Sequence, residues 1–181
     1  VTVAAGPAPA GALTTWFQGI VGGTSLMDLV EEATAVSAGC DGLLALPYFA
    51  GERAPIFDSK ARGAILGLTM RHTRGHIYRA LLESTAFAVR HLLESVASFE
   101  APWGPLKAAG AGGSGGLWTQ IVSDVTGESQ LLSRRTLGAC YGSAWLAAVA
   151  SGHVSADEEW NETATIVQPD PRNAALYDRR Y

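Results

Sequence analysis

Gly63-Ala64-Ile65-Leu66-Gly67-Leu68 leads through seven residues into His76-Ile77-Tyr78-Arg79-Ala80-Leu81-Leu82-Glu83. The first run is short and apolar, the pattern of a buried strand. The second opens the longest helix of the chain. Thr73 is its predicted N-cap, and Ile77, Leu81, Ala88, Leu92 and Val96 recur at helical spacing. Tyr78, Leu82, Thr85, Val89 and Leu93 widen that stripe. A helix with so broad an apolar face should lie flat on a sheet.

Upstream, Gly42 to Phe49, interrupted by Pro47, reads as another buried strand, and the polar segment 50–62 as a loop. Ser25 is a predicted N-cap with Asp28 three residues on. The helix it starts has an apolar stripe at Leu26, Leu29, Val30, Ala33 and Val36, and Gly39 as its terminator. A further helix passes through Trp16, Phe17 and Ile20. Ahead of it, Thr2-Val3-Ala4 is a short strand candidate, followed by the Pro- and Gly-containing stretch Gly6 to Gly11.

Downstream the alternation repeats. Leu106 to Ala109 is a strand that runs into a glycine-rich turn. Leu117, Trp118, Ile121, Val122 and Val125 mark a helix ending near Gly127, and Gln130 to Ser133 is another strand. The helix from Gly138 to Ser151 is rich in small residues, with Gly138 and Gly142 on one face that another backbone could approach. The tail 170–181, with Arg172, Arg179 and Arg180, is polar and suggests no element. Strands alternating with helices predict an α/β fold. A chain of 181 residues that is 48% hydrophobic is large enough for a single domain over 1–181 with one substantial core.

Composition narrows the partners. Thirteen basic against 17 acidic residues, a net charge of -4, leave no basic footprint for nucleic acid and no polybasic segment for a membrane surface. No apolar stretch approaches the ~20 residues that cross a bilayer. Cys40 and Cys140 are far apart, which suggests neither a disulfide framework nor a thiolate metal site, and a reducing cytoplasm is expected. The chain begins at Val1, without Met or the charged start of a signal peptide, and reads as a piece of something longer.

Gly110-Ala111-Gly112-Gly113-Ser114-Gly115-Gly116 lies between a predicted strand and a predicted helix. Missing Cβ atoms let a ligand reach the backbone there, and a helix N-terminus supplies N–H groups and positive dipole, so a nucleotide contact is the natural reading. Taken literally, Gly110-x-Gly112-x-x-Gly115 also matches the dinucleotide fingerprint, with Arg134 and Arg135 near the position that would select NADP. Too few strands follow for a doubly wound domain. The third reading is a flexible turn that binds nothing.

The gapped pattern of Gly63 to Leu68 and His76 to Glu83 resembles the second signature of the FGGY carbohydrate kinases at every constrained position. Pro47 to Gly63, with Gly51-Glu52-Arg53-Ala54-Pro55, Asp58 and Ala61-Arg62-Gly63, resembles the loop that precedes that signature in pentulose and glycerol kinases. Gly110 to Gly127 is similar to the family's adenine-side loop and helix, and Gly138 to Ala144 to the small-residue helix packed behind it. Together these stretches cover about Gly11 to Gly152.

The resemblance implies an actin-like ATPase domain of the ribonuclease H-like type, α/β, with a mixed sheet flanked by helices. It would be the C-terminal ATP-binding domain of a two-domain sugar kinase whose active site lies in the cleft between the domains. The N-terminal domain of the family carries most sugar contacts, the first phosphate loop and the catalytic Asp, so no catalytic residue is expected in this chain. The implied partners are ATP with Mg2+ and a sugar held mainly by that other domain, and a homodimer is allowed for. Gly51 to Pro55 is closer to pentulose kinases than to glycerol kinases and points to xylulose or a similar ketose. Carried over residue by residue, Gly11 and Thr15 match positions near the ribose and phosphates. Ala111 and Gly115 match adenine contacts, within a loop in which Gly110 and Gly112 also face the nucleotide. Ala111 stands where Gly is frequent and Gly115 where a polar side chain is often found, so backbone contacts could survive there but a side-chain contact at 115 could not.

Other chemistry-bearing residues read as structural. Glu52, Arg53, Asp58 and Arg62 sit in one loop, where turn-stabilising carboxylates and loop ion pairs are common. His76 reads as a first-turn capping or packing residue, and Asp124 as a hydrogen-bonded carboxylate with no second oxygen ligand nearby for magnesium. His72, His91 and His153 lack metal-ligand spacing, and no metal site is assigned. Two functions stay open: the ATP-binding part of a sugar kinase, and a non-catalytic actin-like module that binds nucleotide or a protein.

Overall fold

The structure, a computed structural model, describes residues 10–97, 106–109, 116–158 and 160–181. Six helices lie among them: α1 (Ala10–Ile20), α2 (Leu26–Thr34), α3 (Arg74–Ala97), α4 (Leu117–Thr126), α5 (Ala139–Ala150) and α6 (Pro171–Arg180). The strands are β1 (Leu44–Leu46), β2 (Ala64–Leu66), β3 (Leu106–Ala108), β4 (Gln130–Ser133) and β5 (Thr163–Val167). The candidate strand Thr2-Val3-Ala4 lies outside the described residues.

The broad stripe on α3 is buried as expected, but mostly against other helices rather than flat on a sheet, with β1 the strand it packs on. Tyr78, Ala80, Leu81, Leu82, Ala86 and Leu92 are buried, and the helix packs on α1, α2, α4 and β1. Phe17 from α1, Leu29 and Ala33 from α2, and Ile121, Val122 and Val125 from α4 join the same core. Each large side chain fully buried in this way contributes about 1.5–3 kcal/mol. β1 and β2 form an antiparallel pair, Leu44 opposite Leu66. β3 and β4 run parallel and β5 pairs antiparallel with β4, giving a mixed sheet. Parallel pairing sends the C-terminal ends of β3 and β4 to the same edge.

Several expectations are corrected. α2 ends at Thr34 rather than near Gly39, because the Ala35 and Val36 amides bond back to Glu31 and Ala33 in a tightened last turn. Gly39 instead adopts a left-handed φ of 82° that starts a 3-10 turn over Cys40–Gly42. The two apolar runs are shorter strands than expected, and β2 is not buried: Leu66 and, just beyond it, Leu68 are about half exposed. Gly138 is the N-cap of α5 rather than part of its face. No residue of that helix is buried, and a Cβ on Gly142 would meet nothing within 4 Å. The tail, unassigned from sequence, forms α6, because Asp170 caps the Arg172 amide and Pro171 takes the first helical position.

α6 is held by a buried carboxylate. Glu83 Oε1 accepts from the Gly39 amide at 2.9 Å, the Tyr177 hydroxyl at 3.0 Å and Arg79 Nε at 3.1 Å. Arg79 also donates to the Ala33 carbonyl, and Tyr177 is fully buried. Burial, reinforced by the Glu83 charge, pushes the Cys40 thiol beside this cluster far up and keeps it neutral.

Candidate functional site

α3 positions two helices, α1, which carries Gly11 and Thr15, and α4, which follows the glycine-rich stretch. On α1, Gly11 and Thr15 lie one turn apart on an exposed face, and Thr15 Oγ1 donates to the Gly11 carbonyl at 3.2 Å. Among the described residues, nothing lies within 4 Å of a Cβ built on Gly11. The opposite face is fixed. Phe17 stacks on Tyr78 with ring centroids 5.8 Å apart and planes 5° from parallel, and the Thr14 and Tyr78 hydroxyls lie 3.2 Å apart. Burial pushes the Tyr78 phenol up and keeps it protonated.

Gly110, Ala111, Gly112 and Gly115 lie outside the described residues. Immediately after them in sequence, Gly116 is the N-cap of α4 with φ 104°, a conformation that side chains resist. Among the described residues no side chain caps this terminus. Its first-turn amides and positive dipole therefore suit a polar or anionic ligand. The Trp118 indole N–H donates to Thr85 Oγ1 at 2.9 Å, and that hydroxyl donates to the Leu82 carbonyl at 2.8 Å. Tyr78 and Thr85 are seven residues apart on α3, two turns along one face. One helix thus orients the glycine-bearing face of α1 and the N-terminus of α4.

β4 delivers the chain to the same sheet edge as β3. Beyond it, Arg134, Arg135, Trp160, Asn161 and Glu162 line a hollow of about 240 Å³. Arg134 is exposed and lies 3.7 Å from Glu162. Arg135 lies over the Tyr141 ring, and its backbone N–H and C=O are both bonded by Asn161.

The remaining candidates fall into structural roles. Glu52 is buried, accepts from the Arg53 amide through Oε1 and, among the described residues, has no partner for Oε2. Asp58 accepts from the Lys60 amide, and Arg62 donates to the carbonyls of Ser59 and Ala61, so these groups knit their own loop. Asp124 takes three donors: Gln120 Nε2 and the Asp170 amide on Oδ1, and Asn173 Nδ2 on Oδ2. It ties α4 to the start of α6. His76 bonds the Thr73 amide and hydroxyl through Nδ1, which makes it the capping residue expected. Among the described residues no three His, Cys, Asp or Glu side chains converge as metal ligands.

Sequence reading missed Tyr177, the Thr85–Trp118 contact and β5. Asp170-Pro171 was a usable start signal for α6, and the β-branched run Thr163 to Val167 for β5. Nothing local marks residues 33 apart as hydrogen-bonded.

A mixed sheet flanked by helices, with strands β3 and β4 opening at one edge, is the actin-like ATPase fold found in solved sugar kinases. Residues 11–151 match the FGGY family of carbohydrate kinases, C-terminal domain, and the chain belongs to that family. It is 30% identical to a xylulose kinase of Lactococcus lactis over 100% of this chain and 36% of that protein. It is 35% identical to a glycerol kinase of Thermus brockianus over 93% of this chain and 35% of that one. The crystal structure of xylulose kinase from Rhodospirillum rubrum overlays with a TM-score of 0.78 at 34% identity, covering 96% of this chain and 36% of that one. The chain thus spans about a third of the length of these relatives. The dinucleotide-fingerprint reading of Gly110 to Gly115 is corrected, because this fold is not the doubly wound sheet that the fingerprint opens.

Proposed function

We propose that this chain, a single domain over 1–181, is the nucleotide-binding C-terminal portion of a cytoplasmic ATP-dependent kinase that phosphorylates a sugar hydroxyl. The observation that carries this reading is α3 holding α1 through Tyr78 and α4 through Thr85, with Gly11 and Thr15 exposed and no side chain among the described residues capping α4. These residues fit a nucleotide. Gly11 has no Cβ to hold a flat ring or ribose away, and the first-turn amides of α4 behind Gly116 suit an anionic group. The adenosine end of ATP would lie against Gly11, Thr15 and the loop containing Gly110, Ala111, Gly112 and Gly115. Mg2+ would arrive with ATP and neutralise phosphate charge.

The substrate we favour is a pentulose such as xylulose, on the strength of Gly51-Glu52-Arg53-Ala54-Pro55. Relatives differ in the substrate they are named for, xylulose in one and glycerol in another. Sugar positioning and the base that takes the hydroxyl proton belong to the N-terminal domain, which leaves this chain the task of orienting the phosphoryl donor. Calorimetry of the chain with ATP and with adenosine tests the assignment. Weak binding of both at similar affinity is expected. ATP binding far tighter than adenosine would mean a complete phosphate site within these residues, and no binding of either would remove the nucleotide site from this chain.

A further inference from the structure

We propose that the hollow at the outgoing end of β4 is an oxyanion site that takes a phosphate group between Arg134 and Arg135. With Trp160, Asn161 and Glu162 the two arginines line about 240 Å³. Cavities that enclose drug-sized molecules start at roughly 300 Å³, so this one suits a small group rather than a whole nucleotide. It is built by the end of β4, the approach to β5 and the start of α5. None of these carries Gly11, Thr15 or the glycine-rich stretch, so the site stands apart from the nucleotide contacts proposed above.

The walls are fixed by bonds that do not use the guanidinium groups. The Arg134 amide donates to the Glu162 carbonyl at 2.9 Å. Asn161 spends both ends of its side chain on Arg135, accepting from its N–H at 3.0 Å and donating to its C=O at 2.9 Å. The Tyr141 hydroxyl donates to the Trp160 carbonyl at 3.0 Å. The Arg135 guanidinium carbon sits 5.6 Å from the centre of the Tyr141 ring, and a guanidinium stacked through its face keeps its in-plane N–H groups for an acceptor. Among the described residues Arg135 makes no ion pair. Arg134 has only Glu162, 3.7 Å away with both side chains about 70% exposed, and such a pair yields readily to a better anion.

Charge sets the sign of the ligand. Two guanidinium groups on adjacent residues repel each other, and one carboxylate answers them, which leaves a positive excess in a chain whose net charge is -4. Tyr141 belongs to the first turn of α5, so the positive end of that helix dipole adds to the field at Arg135. Geometry then favours phosphate over carboxylate. Each guanidinium fork pairs best with two oxygens, and a carboxylate has two in all, whereas a phosphate group has enough to serve both forks.

Calorimetry of the chain with inorganic phosphate, glycerol phosphate, acetate, adenosine and ATP at constant ionic strength tests this. Phosphate and glycerol phosphate should bind, and acetate should bind about tenfold more weakly. Arg134→Gln and Arg135→Gln should each weaken phosphate about tenfold, the ordinary worth of a hydrogen bond to a charged group. Arg134→Lys and Arg135→Lys keep the charge without the fork and should fall between the parent and the Gln variants. Glu162→Gln removes the competing carboxylate and should tighten phosphate roughly two- to fivefold, the ordinary worth of an exposed ion pair. Loss of ATP affinity in the arginine variants with adenosine unaffected would identify the phosphate as a nucleotide's. A response of phosphate and glycerol phosphate alone would identify a separate small anion. No phosphate binding at millimolar concentrations, phosphate binding unchanged in both Arg→Gln variants, acetate binding as tightly as phosphate, or weaker phosphate binding in Glu162→Gln would overturn the proposal.

Discussion

Thr85 and Trp118 lie on different helices, 33 residues apart in sequence, and the indole N–H of the second donates to the hydroxyl of the first at 2.9 Å. This bond fixes the first turn of α4 against α3. Thr85→Val keeps the side chain's shape and removes the acceptor, leaving a half-buried indole N–H unpaired at a cost of about 1–3 kcal/mol. The variant should melt a few degrees lower. Adenosine affinity should fall as well, because the open terminus of α4 is no longer held in place. Thermal unfolding and calorimetry read the two effects separately.

Glu83 serves three donors from three parts of the chain, and the loss of its carboxylate strands Arg79 in the core. Glu83→Ala should cost about 3–5 kcal/mol, the usual consequence of removing one partner from a buried ion pair. Tyr177→Phe removes a single hydrogen bond and should cost about 1 kcal/mol. Urea titrations of both variants and of the double variant should show the two losses to be less than additive, since they share Glu83.

Two helical glycines should respond to alanine in opposite senses. At Gly75 a Cβ would meet the Glu32 carbonyl at 2.7 Å, so Gly75→Ala must separate α2 from α3 and lower stability. At Gly142 a Cβ would meet nothing within 4 Å among the described residues, and Gly142→Ala should raise stability by about 0.5–1 kcal/mol through helix propensity alone. Denaturation midpoints of the two variants measured side by side check the pair.

Much of this architecture was legible because it rests on local pattern. The stripe on α3, the Ser25 cap, the αL glycine ending α4 at Gly127 and the Thr73–His76 cap are each set within a turn or two of chain. The end of α2 was misplaced because Gly39 serves a turn that depends on Glu83, 44 residues away. β2 was read as buried because an apolar run does not reveal how many neighbours its strand will have. The proposed site was half legible: glycine at 11 and the glycine-rich sequence before α4 are the pattern of a close ligand approach. That Tyr78 and Thr85 should support them was not legible, since on a helix stripe they look like ordinary core residues.

The most direct measurement is a coupled assay of ADP release from MgATP by the full-length protein, screened against pentuloses, polyols and glycerol, with the 181-residue chain run in parallel. Sugar-dependent turnover by the full-length protein, highest with a pentulose such as xylulose, and none by the chain alone, is the predicted result. Sugar-dependent turnover by the isolated chain, or none by the full-length protein with any sugar or polyol, would contradict its assignment as the nucleotide-binding portion of a sugar kinase.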